Sequence, residues 1–238
     1  MNLKDKAVLI TGSSQGLGAE LARKVAKEGA NVILLARREN FLKNVKEKIE
    51  KSGGKVEYFV CDIRDLKQVK ETVGKIKGKF KIVDILVNNA GVWTDDELEK
   101  QNPERREDAF RTNVLGHIQV TQEILPILNK KESIIFNVIS TGGLADINNI
   151  PWKTYGASKW GMVGYTQALR ESLRESNTKV MQFFPGGFES NLYENAGRLN
   201  PHNQPWMMKT EDVADIILFA LTRPPDVYME KIVVSKKK

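Results

Sequence analysis

The chain reads Thr11-Gly12-Ser13-Ser14-Gln15-Gly16-Leu17-Gly18 where an apolar run at 7–10 gives way to a helical pattern. Glycines here let the backbone turn tightly and approach a pyrophosphate, and the following helix offers that anion free N–H groups and a positive dipole end. The motif has the strand before it and the helix after it that such a site requires. A purely structural turn is the alternative interpretation. The residues expected to contact a dinucleotide are Gly12, Ser14, Gln15, Gly16, Leu17 and Gly18.

Outward from this turn, short runs rich in β-branched residues alternate with longer helical patterns. Several runs are continuously apolar, which predicts strands buried on both faces, as in a parallel sheet covered by helices. The alternation predicts an α/β fold, a doubly wound, seven-stranded parallel sheet of the Rossmann type with helices on both faces. The strands are predicted near 6–11, 31–36, 55–60, 83–87, 133–139, 178–184 and 231–234. The helices are predicted near 16–28, 39–52, 65–78, 103–129, 154–175 and 210–221.

The domain organisation follows from what interrupts this alternation. A chain of 238 residues could form one large or two small α/β domains, but no repeat or interdomain linker is visible. We therefore expect 1–238 to be a single dinucleotide-binding and catalytic domain. The segment 187–209 is too long for a simple connection and is typical of a lid or a substrate-binding loop. Pro126 predicts either a kink or an early end of the 103–129 helix.

Composition and charge exclude several classes of function. The net charge is +7, but the lysines are spread over several predicted helices, which favours solvated surface over a nucleic-acid site. No signal peptide and no membrane-spanning stretch is visible, and the one cysteine, Cys61, cannot form an intrachain disulfide. We expect a cytoplasmic protein with neither a nucleic-acid nor a membrane partner. His117 and His202 lack ligand partners at useful spacing, so no metal site is expected.

The end of the second strand indicates which dinucleotide is bound. NAD-binding proteins typically carry an acid here for the adenosine ribose, whereas this chain has Arg37 and Arg38. Guanidinium groups bind phosphate oxygens, so the pair predicts NADP(H), with two exposed helix-start arginines as the alternative. The third strand delivers Asp62 and Ile63. Asp62 is expected to contact the adenine or, alternatively, to cap the next helix, as Asp65 could.

Tyr155 and Lys159 are the candidate acid–base pair. Four residues apart, they lie on one face of a predicted helix. A phenol has a pKa near 10, and a neighbouring ammonium is expected to lower that pKa towards the working range. The spacing alone is common. Its context strengthens it, because neighbouring strands deliver hydroxyl, amide and glycine residues to the edge where open α/β sheets bind ligands.

Taken together, these motifs resemble the short-chain dehydrogenase/reductase family over essentially the whole chain. The resemblance rests on T-G-x-x-x-G-x-G at 11–18, N-N-A-G at 88–91, the asparagine of Asn113-Val114-Leu115-Gly116, Ser140, the pair Tyr155/Lys159, and Pro185-Gly186. Two positions depart from the family pattern. Ser140 to Tyr155 is slightly longer than usual, which leaves Thr141 as an alternative, and Gln15 replaces a basic residue common in NADP-preferring relatives.

The resemblance implies a role for each matching residue. Tyr155 would be the general acid and base, with Lys159 lowering its pKa and binding the nicotinamide ribose. Ser140 would polarise the substrate oxygen. Asn113 would hold a relay water behind Lys159 or, alternatively, bond its local backbone. Further cofactor contacts would come from Asn89, Ala90, Gly91, Pro185, Gly186 and Ser190.

These inferences predict an NADP(H)-dependent carbonyl reductase or alcohol dehydrogenase, which the family resemblance suggests is a homodimer or homotetramer. A catalytically silent, NADP(H)-sensing regulatory protein is the alternative. The loops 92–101, 142–153 and 187–209 carry a set of apolar side chains, which predicts a small carbonyl or alcohol substrate with an apolar body, although these side chains could instead pin their loops. They are Trp93, Leu144, Ile147, Ile150, Trp152, Phe188, Leu192, Tyr193, Trp206, Met207 and Met208.

Overall fold

A computed structural model describes residues 1–94, 102–144, 153–196 and 204–237. The strands are β1 Ala7–Thr11, β2 Asn31–Ala36, β3 Lys55–Val60, β4 Ile85–Asn88, β5 Ser133–Val138, β6 Thr178–Pro185 and β7 Lys231–Val234. The helices are α1 Gly16–Lys27, α2 Glu39–Lys51, α3 Leu66–Phe80, α4 Pro103–Phe110, α5 His117–Ile124, α6 Lys153–Ser172, α7 Leu192–Asn195 and α8 Thr210–Leu221.

The strands form one parallel sheet in the order β3-β2-β1-β4-β5-β6-β7. Alternate residues of β1 contribute to two hydrophobic cores, one on each face of the sheet. Val8 and Ile10 pack on the face covered by α1, α2 and α8. Leu9 packs on the face covered by α3, α5 and α6. Double-sided burial explains why the strands read as continuous apolar runs. The predicted doubly wound sheet is confirmed.

The order of the sheet positions the site. From β1 the chain continues outwards to β2 and β3, and from β4 it continues in the opposite direction to β5, β6 and β7. The carboxyl ends of the neighbouring strands β1 and β4 therefore leave a crevice between them. The glycine turn follows β1, and Asn89 follows β4. Both motifs therefore meet at the point where the strand order reverses.

The prediction of one continuous helix over 103–129 is wrong, because the segment is divided into shorter helices. A π-helical turn, Arg111–Gly116, separates α4 from α5, and a 3-10 turn at Leu125–Ile127 ends the segment. Pro126 in that last turn has no N–H to continue a helix, so of the two outcomes left open it is the early end that occurs. The fourth strand also begins at Ile85 rather than 83. Val83 forms an isolated bridge with Leu128 instead of belonging to this strand.

The described ranges lack two features, a membrane-spanning helix and a metal-binding cluster. Within 1–94, 102–144, 153–196 and 204–237, no helix has the length and apolarity to cross a bilayer. In the same ranges, no three His, Cys, Asp or Glu side chains are grouped so that they could hold a metal ion.

Candidate active site

A cleft of about 600 Å³ opens at the carboxyl edge of β1, β4, β5 and β6. Its walls include every residue predicted to contact the cofactor: Gly12, Ser14, Gln15, Gly16, Leu17, Gly18, Arg37, Arg38, Asp62, Ile63, Asn89, Ala90, Gly91, Tyr155, Lys159, Pro185, Gly186 and Ser190. Ser140 and Thr141 line the same cleft. Asn113 lies behind the wall and is fully buried.

The glycine turn requires two glycines for different reasons. Gly12 has a φ of 66°, and a Cβ there would lie 2.7 Å from the Ala90 Cα, so the loops after β1 and β4 can touch only at a glycine. A Cβ on Gly18 would lie 2.6 Å from the Gly12 carbonyl oxygen. The first turn of α1 has no acidic residue and no side-chain cap, which leaves its N–H groups free to bind an anion.

The two arginines after β2 differ in their surroundings. Arg37 is exposed on the rim of the cleft, and its charge contributes to lowering the pKa of Asp62. The Arg38 guanidinium stacks on the Phe41 ring, 4.2 Å from its centroid. Arg37 therefore offers the freer guanidinium to a phosphate at this rim.

Asp62 is not the cap of the third helix. Asp65 caps α3 by accepting from the backbone N–H groups of Lys67 and Gln68. Arg64 Nε instead donates to both carboxylate oxygens of Asp62, at 2.9 and 3.0 Å, and Arg64 also pairs with Asp108 on α4. Although burial opposes it, these hydrogen bonds lower the pKa of Asp62, so the group is anionic where it lines the cleft.

Tyr155 and Ser140 form the centre of the candidate site. Tyr155 is buried on the inward face of α6, and its hydroxyl shares a hydrogen bond with that of Ser140, at the end of β5. Ser140 Oγ also accepts from the Gly142 N–H at 3.1 Å, so it serves the turn as well as the site. Thr141 lines the cleft without a described bond to Tyr155.

The expected lowering of the Tyr155 pKa is wrong for this structure. Burial raises the pKa of Tyr155 to about 12, despite the opposing hydrogen bond from Ser140. Burial also lowers the pKa of Lys159 to about 8. Burial is therefore the main cause of the Tyr155 pKa in this structure, and it outweighs the effect expected from a neighbouring ammonium.

Lys159 is nevertheless placed to act on the phenol at neutral pH, where it is charged. Its Nζ lies 5.5 Å from the Tyr155 ring centroid. It also lies close to Gly91, since a Cβ added to that glycine would be 3.7 Å from Nζ. Among the described residues, none accepts a hydrogen bond from this ammonium. It is therefore available to hydroxyl groups of a ligand in the cleft.

Asn113 bonds a neighbouring loop rather than its own helix. It exchanges two hydrogen bonds of 2.9 Å with the Val92 backbone and donates to Ser158 Oγ at 3.0 Å. Ser158 in turn donates to the Tyr155 carbonyl oxygen at 2.7 Å. A π-helical turn, a feature frequent at functional sites, carries Asn113 to this position.

His117 is a residue of this site that the sequence prediction missed. It is buried, and its Nε2 donates to the Ala90 carbonyl oxygen at 2.7 Å, which fixes the loop after β4. Burial first and the Lys159 charge second lower its pKa to about 4, so it is neutral at pH 7. A signal was present, because His117 follows Asn113 by four residues on the same helical segment.

The apolar side chains predicted for substrate divide into two groups. Three pack elsewhere: Leu144 against Phe184 and its neighbours, Met207 in the interior, and Met208 on the core beside α8. These three side chains therefore anchor their loops to the domain, which was the alternative to a contact with the substrate. Five line the cleft: Trp93, Phe188, Leu192, Tyr193 and Trp206. The predicted residues Ile147, Ile150 and Trp152 lie outside the described ranges.

Comparison with known proteins gives consistent matches. The sequence model described as short chain dehydrogenase matches residues 6–200. The chain is 33% identical to the 3-oxoacyl-(acyl-carrier-protein) reductase of Thermotoga maritima, over 92% of this chain and 91% of that protein. It is 30% identical to the NADP-dependent 3-hydroxy acid dehydrogenase of Schizosaccharomyces pombe, over 98% of this chain and 93% of the relative. A metagenomic short-chain oxidoreductase solved in complex with NADP aligns with a TM-score of 0.82, 26% identity and 98% coverage of both chains.

Proposed function

Because the chain belongs to the short chain dehydrogenase family of oxidoreductases, we propose that it transfers a hydride between NADP(H) and a carbonyl or secondary alcohol. The observation that carries this proposal is the convergence of Tyr155, Ser140 and Lys159 in one cleft with the glycine turn. A dinucleotide-binding end and a proton-donating end in one cavity suit a reaction in which hydride and proton reach the same carbonyl group.

The chain's own residues supply the proton chemistry, and the bound nicotinamide supplies the hydride. Tyr155 is protonated at neutral pH and donates to the carbonyl oxygen during reduction; it accepts that proton during oxidation. Ser140 hydrogen-bonds the same oxygen and orients it. Lys159 binds ribose hydroxyls and stabilises negative charge growing on the phenol. Asn113 holds a relay water behind Lys159.

The preference for NADP(H) is supported by two kinds of observation. Arg37 and Arg38 stand where NAD-binding proteins carry an acid, and both line the cleft. Two similar proteins are named for the same cofactor, the NADP-dependent dehydrogenase of Schizosaccharomyces pombe and the metagenomic oxidoreductase in complex with NADP. Asp62 and Ile63 would contact the adenine, and Ser190 the carboxamide or the phosphates.

Replacing Arg37 with alanine is expected to raise the KM for NADPH about 10- to 100-fold, the range for loss of a hydrogen bond between charged groups. The KM for NADH should stay within about twofold, because NADH lacks the phosphate. Lys43→Ala on α2 is a matched control, since Lys43 pairs with Glu39 at 3.0 Å instead of lining the cleft. Equal losses for both cofactors in steady-state kinetics would refute the phosphate contact.

The substrate side supports a carbonyl compound with an apolar body, because aromatic and aliphatic side chains dominate the wall beside Tyr155. We propose that 187–209 acts as the substrate lid of a single-domain enzyme. The test is a screen for NADPH oxidation over ketones, aldehydes, quinones and keto-esters, repeated with NADH. Tight NADPH binding without oxidation by any carbonyl would favour the silent, cofactor-sensing protein instead.

We further propose that the chain forms a homodimer or homotetramer through α4, α5 and α6. Three large apolar side chains are exposed on α4, on the π-helical turn between α4 and α5, and on α6: Phe110 at 41%, Leu115 at 50% and Trp160 at 47%. Light scattering on the purified protein is expected to give two or four times the chain mass, and Leu115→Glu to reduce that mass. A wild-type monomer at micromolar concentration would contradict this proposal.

A further inference from the structure

Tyr193 is a second phenol in the cleft that holds Tyr155. It lies on the short helix α7, and its ring packs against Trp93 with a centroid separation of 5.0 Å and a tilt of 52°. Trp93 and Tyr155 belong to the same apolar cluster, on which Leu192 and Tyr193 pack. Tyr193 therefore lies beside the reacting group, with its ring held in place by the indole.

The hydroxyl of Tyr193 has no hydrogen-bond partner within the described part of the chain. Its ring is only partly buried, and the residue lines the cleft. Burial raises the pKa of Tyr193, so its hydroxyl is a hydrogen-bond donor at neutral pH. After burial, the dominant cause, Tyr193 also raises the pKa of Tyr155, so the two phenols are near enough to interact electrostatically.

A hydrogen-bond donor placed this way in an apolar wall is informative. Tyrosine at a binding surface usually contributes an apolar ring together with one hydroxyl that finds a partner. Pockets for small molecules are mostly apolar and gain their selectivity from a few placed polar groups. Ser140 and Tyr155 already serve the reacting oxygen, so the Tyr193 hydroxyl is left over for another atom of the substrate.

We propose that Tyr193 is a specificity-determining residue that donates a hydrogen bond to a second oxygen of the substrate. The preferred substrates are then carbonyl compounds with another oxygen acceptor close to the reacting carbonyl, as in a 1,3-dicarbonyl. Their apolar remainder packs on Trp93 and Leu192. This inference rests on the proposed hydride transfer at the same site and adds the chemical class of the substrate.

The test compares two substrates in two proteins. Ethyl acetoacetate carries a second carbonyl oxygen, and 2-heptanone is a ketone of similar length without one. Tyr193→Phe keeps the ring on Trp93 and removes only the hydroxyl. We expect kcat/KM for ethyl acetoacetate to fall about 10-fold and kcat/KM for 2-heptanone to change less than about twofold, the pattern for loss of one hydrogen bond.

The outcomes separate this inference from the function on which it rests. An equal fall for both substrates, or none for either, would overturn the role of Tyr193. So would a wild-type protein that reduces monoketones but no dicarbonyl, and in that case the proposed hydride transfer would stand. If no carbonyl compound supported NADPH oxidation by the wild-type protein, both proposals would be contradicted. Unchanged NADPH affinity and melting temperature in Tyr193→Phe exclude misfolding as the cause of a loss.

Discussion

Replacing Tyr155 with phenylalanine is expected to lower kcat for carbonyl reduction by roughly 10²–10⁴-fold or more, the range for removal of a general acid. The substitution deletes one hydroxyl and keeps the ring in its apolar cluster with Trp93 and Ala196. The affinity for NADPH should stay within a few-fold, because the glycine turn and Arg37 are untouched. Single-turnover kinetics, with NADPH binding measured by fluorescence, separate the two quantities.

A matched control is available on the same helix. Tyr165 also lies on α6, and its ring packs in the core rather than in the cleft. Tyr165→Phe therefore removes a phenolic hydroxyl from α6 without touching the reaction and should keep nearly normal turnover. Near-normal turnover in Tyr155→Phe would remove Tyr155 from the mechanism, whereas loss of NADPH binding would point to a purely structural defect.

Replacing Lys159 with methionine is expected to slow turnover by about 10²-fold while raising the melting temperature. At an effective dielectric constant of about 20, a charge at the 5.5 Å separation of Nζ from the Tyr155 ring stabilises a phenolate by about 3 kcal/mol, or ~10²-fold. The same ammonium destabilises the native state, because burial lowers the pKa of Lys159 from 10.5 to about 8. That lowering corresponds to about 3 kcal/mol.

The sign of the stability effect sets its pH dependence. The unfolded chain binds the Lys159 proton more tightly than the native protein, because the pKa of Lys159 falls from 10.5 to about 8 on folding. The native state is therefore destabilised by the full amount below pH 8, and this effect disappears as the pH rises towards 10.5. Lys159→Met should therefore gain several degrees in thermal melts at pH 7 and less at pH 9.5. Lys153→Met, an exposed lysine on the same helix, should change neither turnover nor melting. A melting gain that does not depend on pH would exclude buried charge as its cause.

The fold was predictable because its signals are local. The runs at 7–10 and 134–136 are apolar at every position, and this pattern indicates strands covered on both faces before any partner is known. By contrast, the π-helical turn at Arg111–Gly116 has no local signal. It inserts one extra residue per turn so that Asn113 meets Val92 and His117 meets Ala90, contacts between segments more than twenty residues apart.

The residues that line the cleft were largely predictable from the sequence, whereas His117 was missed and the pKa of Tyr155 was not predicted correctly. Every expected cofactor residue lines one cleft, because motifs that follow parallel strands are brought to the same edge of the sheet. The expected ionisation of Tyr155 was wrong, because the pKa of a phenol depends on how completely other segments bury it. The contact of Asp62 with Arg64, rather than with the backbone of α3, was also hidden, since Asp62 and Asp65 are equally suited to capping in the sequence.

By itself, the sequence determined the Rossmann-type sheet, the glycine turn and the spacing of Tyr155 and Lys159, since these depend on backbone preferences and periodicity within a few residues. Only the tertiary structure decided which groups meet: Ser140 with Tyr155, His117 with Ala90, and Tyr193 with Trp93. Hydrogen bonds and burial act over a few ångströms in space, and residues distant along the chain reach that separation only once the sheet and its helices have packed.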